Sequence, residues 1–153
     1  MRVRSVQNYP SAESQIILAK RPESYRIISL FVSATTASVL GNAQCLLSVV
    51  DGAGNSLMTF GSPPLVNAIQ SNFTFSAADV DTTTSVGVGG VAGGFIMVPL
   101  PEELWVQPQW QVQILISPNT AGDVLANANM QIEMFTREKS VASARPTGED
   151  SSP

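Results

Sequence analysis

The chain has 153 residues, of which 44% are hydrophobic and only 13% are charged, with a formal net charge of −4. This length suits one domain around one core, and the charged share is about half that of an average soluble protein. The chain has no histidine and one cysteine, which excludes Ser-His-Asp and Cys-His catalytic arrangements, histidine metal sites and intramolecular disulfides.

The basic residues are confined to the two ends of the sequence. No lysine or arginine occurs between Ile27 and Thr136, whereas acidic residues are spread through that body. Residues 1–26 carry five positive and two negative charges. Because nucleic-acid binding needs a clustered basic face, the acidic body argues against a nucleic-acid partner. We expect the basic N-terminal arm to contact an acidic protein surface.

The sequence gives no sign of a membrane partner. It begins "MRVR", as a signal peptide does, but the longest apolar run nearby is "IILA", which is too short for a secretory signal. No apolar stretch is long enough to span a bilayer. We therefore expect a protein that is made and used without crossing a membrane by the ordinary route.

Strand patterns recur along the chain at the spacing of an all-β sandwich. Short runs rich in Val, Ile, Phe and Thr are separated by Gly, Pro and Asn, and the one plausible helical turn is near "SPPLVNAIQ". The predicted strands are Gln15–Ala19, Tyr25–Ala34, Gln44–Val50, Ser56–Phe60, Asn72–Ser76, Gly94–Pro99, Trp110–Ser117 and Val124–Thr136.

The Asp51–Asn55 segment, "DGAGN", predicts a tight hairpin because Gly52 and Gly54 tolerate positive φ. The hairpin would pair the strands on either side of it. A tight turn explains Asp51 and Asn55 better than calcium binding, since the EF-hand ligand pattern is missing. Cys45 lies among apolar residues and is predicted to be buried and unreactive.

Alternation of polar and apolar residues assigns the faces of the last two predicted strands. The residues predicted to face the core are Val112, Ile114 and Ile116 in one strand and Ala128, Met130, Ile132 and Met134 in the other. The opposite faces consist largely of Gln and Asn. Such a face is either solvated or packed against a neighbouring subunit without burying a charge, and the sequence favours neither.

No catalytic, cofactor or metal site is predicted. Asp79 and Asp81 form a carboxylate pair, as do Glu102 and Glu103, but glycosidase chemistry also needs a sugar platform beside the acids. The glycine-rich segment Gly87–Gly94 lacks the Gly-Lys-Ser/Thr end of a phosphate-binding loop. The polar, proline-containing sequence after residue 136 predicts an extended or disordered tail.

Two tryptophans lie in the segment "PLPEELWVQPQWQV". Its prolines delimit a short strand around Leu104–Val106 and a turn before Trp110. Trp110 is predicted to cap the core, and Trp105 is predicted to be a contact residue. Stacking on a sugar is the further alternative.

Four segments follow one another along the chain: "RIISLFVSATT", "LSVVDGAGN", a Pro-Leu-Pro segment leading into "LWVQPQWQVQILI", and "AGDVLANANMQIEMF". In this succession the chain resembles small β-sandwich virion structural proteins of tailed bacteriophages. The resemblance covers most of residues 25–135 and consists of spacing and turn types, with Gln109 where those proteins often have glycine. It implies an antiparallel, jelly-roll-like β-sandwich of about eight strands with extended N- and C-terminal arms. The arm and first strand would be residues 1–24, the sandwich 25–136 and the polar tail 137–153.

Among such proteins, capsid cement or decoration proteins are similar in size, commonly trimeric, and bind at junctions of the major capsid protein. The resemblance thus implies a non-enzymatic homotrimer on the capsid surface of a virion, with the major capsid protein as its partner and no cofactor. A tail or fibre module that binds a host receptor or glycan is the alternative. The residues predicted to contact the partner are Arg2, Arg4, Lys20, Arg21, Arg26, Trp105, Arg137 and Lys139.

Overall fold

The computed structural model describes residues 1–77 and 95–135. These residues form ten β-strands, and none of them lies in a helix that could cross a membrane. The strands are β1 (Arg2–Tyr9), β2 (Gln15–Ile17), β3 (Tyr25–Thr35), β4 (Gln44–Val50), β5 (Ser56–Gly61), β6 (Ser71–Ser76), β7 (Phe95–Pro99), β8 (Trp105–Val106), β9 (Gln111–Ser117) and β10 (Val124–Phe135).

The strands form two sheets with the nested pairing of a jelly roll. Sheet A has the order β1-β10-β3-β6-β7, with β8 also paired to β3, and sheet B has the order β2-β9-β4-β5. The hairpin β4–β5 is innermost in this pattern, and the pairs β3–β6, β2–β9 and β1–β10 lie successively outside it. This arrangement is a double Greek key, so the predicted jelly-roll sandwich is confirmed. β7 and β8 are additions to sheet A.

The core fills the space between the two sheets. The inward residues predicted for β9, Val112, Ile114 and Ile116, are all buried. On β10, Ala128, Met130 and Ile132 are buried, and Met134 packs against the core while remaining partly exposed. Cys45 is also fully buried, as predicted. Along these segments of β9 and β10, alternation in the sequence therefore identified which side chains face the opposite sheet.

All eight strands predicted from the sequence are confirmed, but the observed number is ten. The predicted short strand around Leu104–Val106 is β8, and the hairpin at Asp51–Asn55 joins β4 to β5. The prediction of a helical turn near residues 62–70 is wrong. That segment contains two prolines and an irregular turn in which Ala68 has φ 57°.

The N-terminal arm also differs from the prediction. Residues 2–9 form β1, which pairs with β10 along its whole length, so this part of the arm belongs to the sandwich. Its side chains alternate between half-buried and exposed, and none is fully buried. The apolar residues Val3, Val6 and Tyr9 are spaced three apart, which hid the two-residue period from the sequence analysis.

Several sequence predictions lie outside the described residues. These are the acidic pair Asp79 and Asp81, the glycine-rich segment Gly87–Gly94 and the C-terminal tail.

Candidate interaction surface

Strand pairing brings four of the predicted contact residues together on the outward face of sheet A. Arg4 of β1 pairs with Glu133 of β10, and Glu133 pairs in turn with Arg26 of β3. Arg26 also pairs with Trp105 of β8, while Arg2 lies opposite Phe135. We call this surface the arginine–aromatic patch; it consists of Arg2, Arg4, Arg26, Glu103, Trp105, Glu133 and Phe135.

Arg26 holds the centre of the patch together. One guanidinium nitrogen, Nη2, lies 2.7 Å from Oε2 of Glu133, a carboxylate that is only 4% exposed. The other, Nη1, lies 3.8 Å from Oε1 of Glu103 and donates a hydrogen bond to the Glu102 carbonyl at 3.3 Å. A buried carboxylate needs such a partner, because an unpaired buried charge is strongly destabilising. The charge of Arg26 is therefore balanced within the chain.

Trp105 and Phe135 form an aromatic pair at the surface. Their ring centroids are 5.2 Å apart with an interplanar angle of 17°, and Phe135 is 47% exposed. The indole Nε1 of Trp105 donates a hydrogen bond to Oε2 of Glu103 at 2.7 Å. The guanidinium carbon of Arg2 lies 5.3 Å from the Phe135 centroid, within cation–π distance. These contacts fix the orientation of large apolar side chains that remain accessible to a partner.

Arg2 and Arg4 add further positive charge to the patch. Among the described residues, neither makes an ion pair with a carboxylate. Arg4 and Arg26 line a small hollow of about 260 Å³ together with Ile28, Ala77 and Glu102. The patch therefore combines exposed aromatic surface with two arginines that make no ion pair within residues 1–77 and 95–135.

A larger groove of about 740 Å³ adjoins the patch at Phe135. It is lined by Arg21, Pro22, Glu23, Ser24, Pro108, Met134 and Phe135. Arg21, another predicted contact residue, donates from Nη1 to Sδ of Met134 at 3.7 Å, and its guanidinium carbon lies 5.8 Å from the Tyr25 ring centroid. Arg21 thus extends the positive charge from the patch into the groove.

The other predicted contact residues are not part of the patch. Lys20 donates a hydrogen bond to the Gly52 carbonyl at 3.4 Å, which places it beside the β4–β5 hairpin of sheet B. Arg137 and Lys139 lie outside the described residues. Trp110 packs against the core, as predicted.

Sequence reasoning missed Glu103, Glu133 and Phe135. Phe135 and Glu133 are two residues apart on a predicted strand, so their shared face was available from the two-residue period. Their position beside Arg26 and Trp105 depends on which strands are neighbours and in which register. Neither follows from a single sequence.

No arrangement with evident chemistry was found in residues 1–77 and 95–135. They contain no group of three His, Cys, Asp or Glu side chains that could hold a metal ion. Burial raises the pKa of the Cys45 thiol to about 12, so this group is protonated at neutral pH. The arginine–aromatic patch combines exposed aromatic rings with arginine side chains, the residue types enriched where proteins bind one another.

Comparisons with known proteins supply no relative whose function could be considered. No family model, no curated protein and no solved structure matches the chain.

Proposed function

We propose that this protein is a non-enzymatic capsid cement or decoration protein of a tailed-phage virion. In this proposal it lies on the capsid surface, binds at junctions between major capsid protein subunits and stabilises the expanded head. It acts as a homo-oligomer, for which the resemblance implies a trimer.

The observation that carries the proposal is the composition of the arginine–aromatic patch. Trp and Arg are enriched among the residues that dominate binding energy at protein interfaces. Here the Trp105–Phe135 pair is held by Glu103 and Arg2, so little side-chain freedom is lost when a partner covers it. Arg2 and Arg4 are positioned to pair with acidic groups around that aromatic centre.

A cement role needs binding that depends on the state of the capsid. A protein that straddles two subunits gains its full contact area only when those subunits have reached their expanded positions. Binding that favours one state stabilises it by the difference in affinity. The rigid sandwich suits this task, because the patch spans four neighbouring strands, β1, β10, β3 and β8, whose relative positions are fixed by backbone hydrogen bonds.

Co-sedimentation with purified capsids tests the proposal. The wild-type protein should bind saturably to expanded, undecorated capsids and not to unexpanded ones. The double variant Arg2→Gln/Arg4→Gln should bind at least about tenfold more weakly, which is a typical effect of losing interface arginines. Raised salt should weaken wild-type binding more than binding of the variant, because salt screens exposed charges.

Lys20→Gln is the matched control, since it removes the same charge from a residue beside the sheet B hairpin. It should bind as the wild type does. Trp105→Ala should weaken binding, and it should also reduce the free energy of unfolding by about 1 kcal/mol for the aromatic pair in addition to the loss of the partly buried indole area. Wild-type affinity in both the arginine and tryptophan variants would contradict the proposal, as would equal binding to both capsid states.

The alternative is a tail or fibre module that binds a host receptor or glycan. The exposed, stacked pair of Trp105 and Phe135 favours it, because aromatic faces beside a carboxylate such as Glu103 also suit sugars. A protein that binds neither capsid state but binds host-surface glycans, with loss of binding in Trp105→Ala, would support this second function.

A further inference from the structure

The outward face of sheet B carries no charged side chain. All four of its strands are described, and strand pairing identifies the residues that point away from the core. We call this surface the amide face; it consists of Gln15, Ile17, Gln44, Leu46, Ser48, Val50, Ser56, Leu57, Thr59, Gly61, Gln111, Gln113, Leu115 and Ser117, of which Ser48 and Val50 are buried.

The absence of charge is specific to this face. The outward positions of sheet A include Arg2, Arg4, Arg26 and Glu133, and the remaining charged residues of the described ranges lie in loops. Lys20 and Asp51 lie beyond the strand ends at the β4–β5 hairpin, and Glu13 precedes β2. The amide face is thus an uncharged surface with charges only at its rim, the pattern of an interface centre.

The chemistry of the face complements itself. Leu46 and Leu115 lie opposite each other on the central strands, and Leu46 packs against Gly61, where an added Cβ would lie 3.0 Å from its Cδ2. Gln15 donates to Gln113 at 3.4 Å, and this pair retains one carbonyl acceptor and one amino donor that have no partner in the described residues. A second copy of the same pair, turned by a half rotation, offers the matching donor and acceptor.

We propose that the amide face binds the amide face of a second copy of this chain across a two-fold axis. A two-fold interface places the same patch on both sides, so any net charge near its centre would meet its own copy. In such an interface no charge would meet its like, the leucines would cover one another, and the Gln15–Gln113 pair would meet a second donor and a second acceptor. The arginine–aromatic patch would stay accessible on the opposite sheet, so this inference does not depend on the proposed function.

The size of the face sets the strength of the contact. Four strands of up to seven residues cover roughly 20 by 20 Å, or about 400 Å² in each copy. This is about half of the roughly 800 Å² that each partner buries in a standard interface. We therefore expect a weak pairing, with a dissociation constant in the micromolar to millimolar range, that gives assemblies with an even number of copies. The trimer implied by the resemblance would pair into a hexamer.

Sedimentation equilibrium of the full chain at up to about 1 mM tests the inference in the concentration range that this small interface requires. The limiting mass, which is the molar mass approached at the highest protein concentrations, should be an even multiple of the 16.2 kDa chain. Gln113→Glu and Gln113→Lys each place a charge in the middle of the face, where it meets its own copy, and each should halve the limiting mass. An equimolar mixture of the two variants should recover the wild-type mass, because unlike charges then meet. A folding defect cannot produce that recovery.

Asn8 provides the matched control, since it is exposed on β1 of the other sheet. Asn8→Glu and Asn8→Lys should keep the wild-type mass. Any of three outcomes would overturn the inference. The wild-type protein could be monomeric at every concentration, its mass at high concentration could be an odd multiple of one chain, or the Gln113 variants could associate as the wild type does. Because capsid binding is tested on the opposite face, failure of the pairing can be distinguished from failure of the proposed function.

Discussion

Asp123 lies just before β10, and it is 1% exposed. Its Oδ1 accepts hydrogen bonds from the Thr36 hydroxyl and the Ala37 amide, both at 2.9 Å, and its Oδ2 accepts one from the Thr120 amide at 2.8 Å. One carboxylate thus joins the end of β3 to the turn that begins β10, the two central strands of sheet A.

Replacing Asp123 with alanine should be strongly destabilising. The substitution removes the acceptor of two backbone N–H groups and a hydroxyl at a side chain that is almost completely buried, so we expect a loss of about 3 kcal/mol in the free energy of unfolding. Urea denaturation of the two proteins measures it. Asp51→Ala is the control, because the Asp51 carboxylate also accepts three hydrogen bonds but these lie in an exposed turn. Water replaces those bonds, and equal losses in both variants would contradict this account.

The turn that joins β8 to β9 runs from Gln107 to Trp110 and is closed by a hydrogen bond from the Trp110 amide to the Gln107 carbonyl at 3.1 Å. Pro108 occupies the second position and Gln109 the third, with φ 66°. This is the position at which a type II turn prefers glycine. Gln109 stands where the similar phage proteins often have glycine, and its backbone is held in the left-handed region that glycine adopts most easily.

Gln109→Gly should stabilise the protein slightly. Glycine removes a left-handed backbone cost of about 1 kcal/mol or more and adds a smaller entropic cost in the unfolded chain, so we expect a gain of about 0.5 kcal/mol. Thermal denaturation should show a higher midpoint. Gln107→Gly, at a neighbouring position without positive φ, should lower the midpoint instead. A lower midpoint in Gln109→Gly would show that the Gln109 side chain contributes more than the turn geometry costs.

Strand positions could be predicted from the sequence because most strands bury every second residue. The register between strands could not, and irregularities in β3 and β10 show why. Around Asn127, with φ 51°, β10 gains a residue relative to β3, so that Leu125 and Ala128 both face the core. A second irregularity brings both Ile27 and Leu30 inward. Strict alternation across these points predicts the wrong face for one side of each bulge.

The candidate site was predictable only in part for the same reason. Arg2, Arg4, Arg26 and Trp105 were selected for their charge or size, and the strand order then placed them on one surface. Their partner Glu133 is separated from Arg26 by most of the chain, and only the pairing of β3 with β10 brings the two together. Lys20 has the same charge in a similar part of the sequence, yet it lies beside the other sheet.

As a whole, the molecule presents two unlike surfaces on opposite sheets. Sheet A carries charge and exposed aromatic side chains, and sheet B carries amides and aliphatic groups. If these surfaces have separate partners, a substitution on one sheet should leave binding at the other unchanged, because sites far apart on a rigid scaffold act additively. The variants of Arg2, Arg4 and Gln113 described above allow this independence to be examined in the same preparations.

The stability of the whole fold should fall in alkaline solution. Burial raises the pKa of Cys45 from its usual value near 9 to about 12. Burial also raises the pKa of Tyr25 and Tyr9; for Tyr25 the nearby Tyr9 adds to the effect, and Arg21 opposes it for both. Below about pH 7 these groups are protonated in both states and contribute no pH dependence. As the pH rises further, the unfolded chain loses protons before the folded one, so the free energy of unfolding decreases.

Urea denaturation between about pH 7 and pH 11 measures this effect, and we expect a loss on the order of 2 kcal/mol across the alkaline part of the range. The variant Cys45→Ala removes one of the three groups, so its free energy of unfolding should change less with pH, whatever its value at neutral pH. Native Cys45 should also resist alkylation at about pH 8 and react once urea unfolds the chain. A free energy of unfolding that stays constant or increases between about pH 9 and pH 11 would mean that these side chains are solvated in the folded protein.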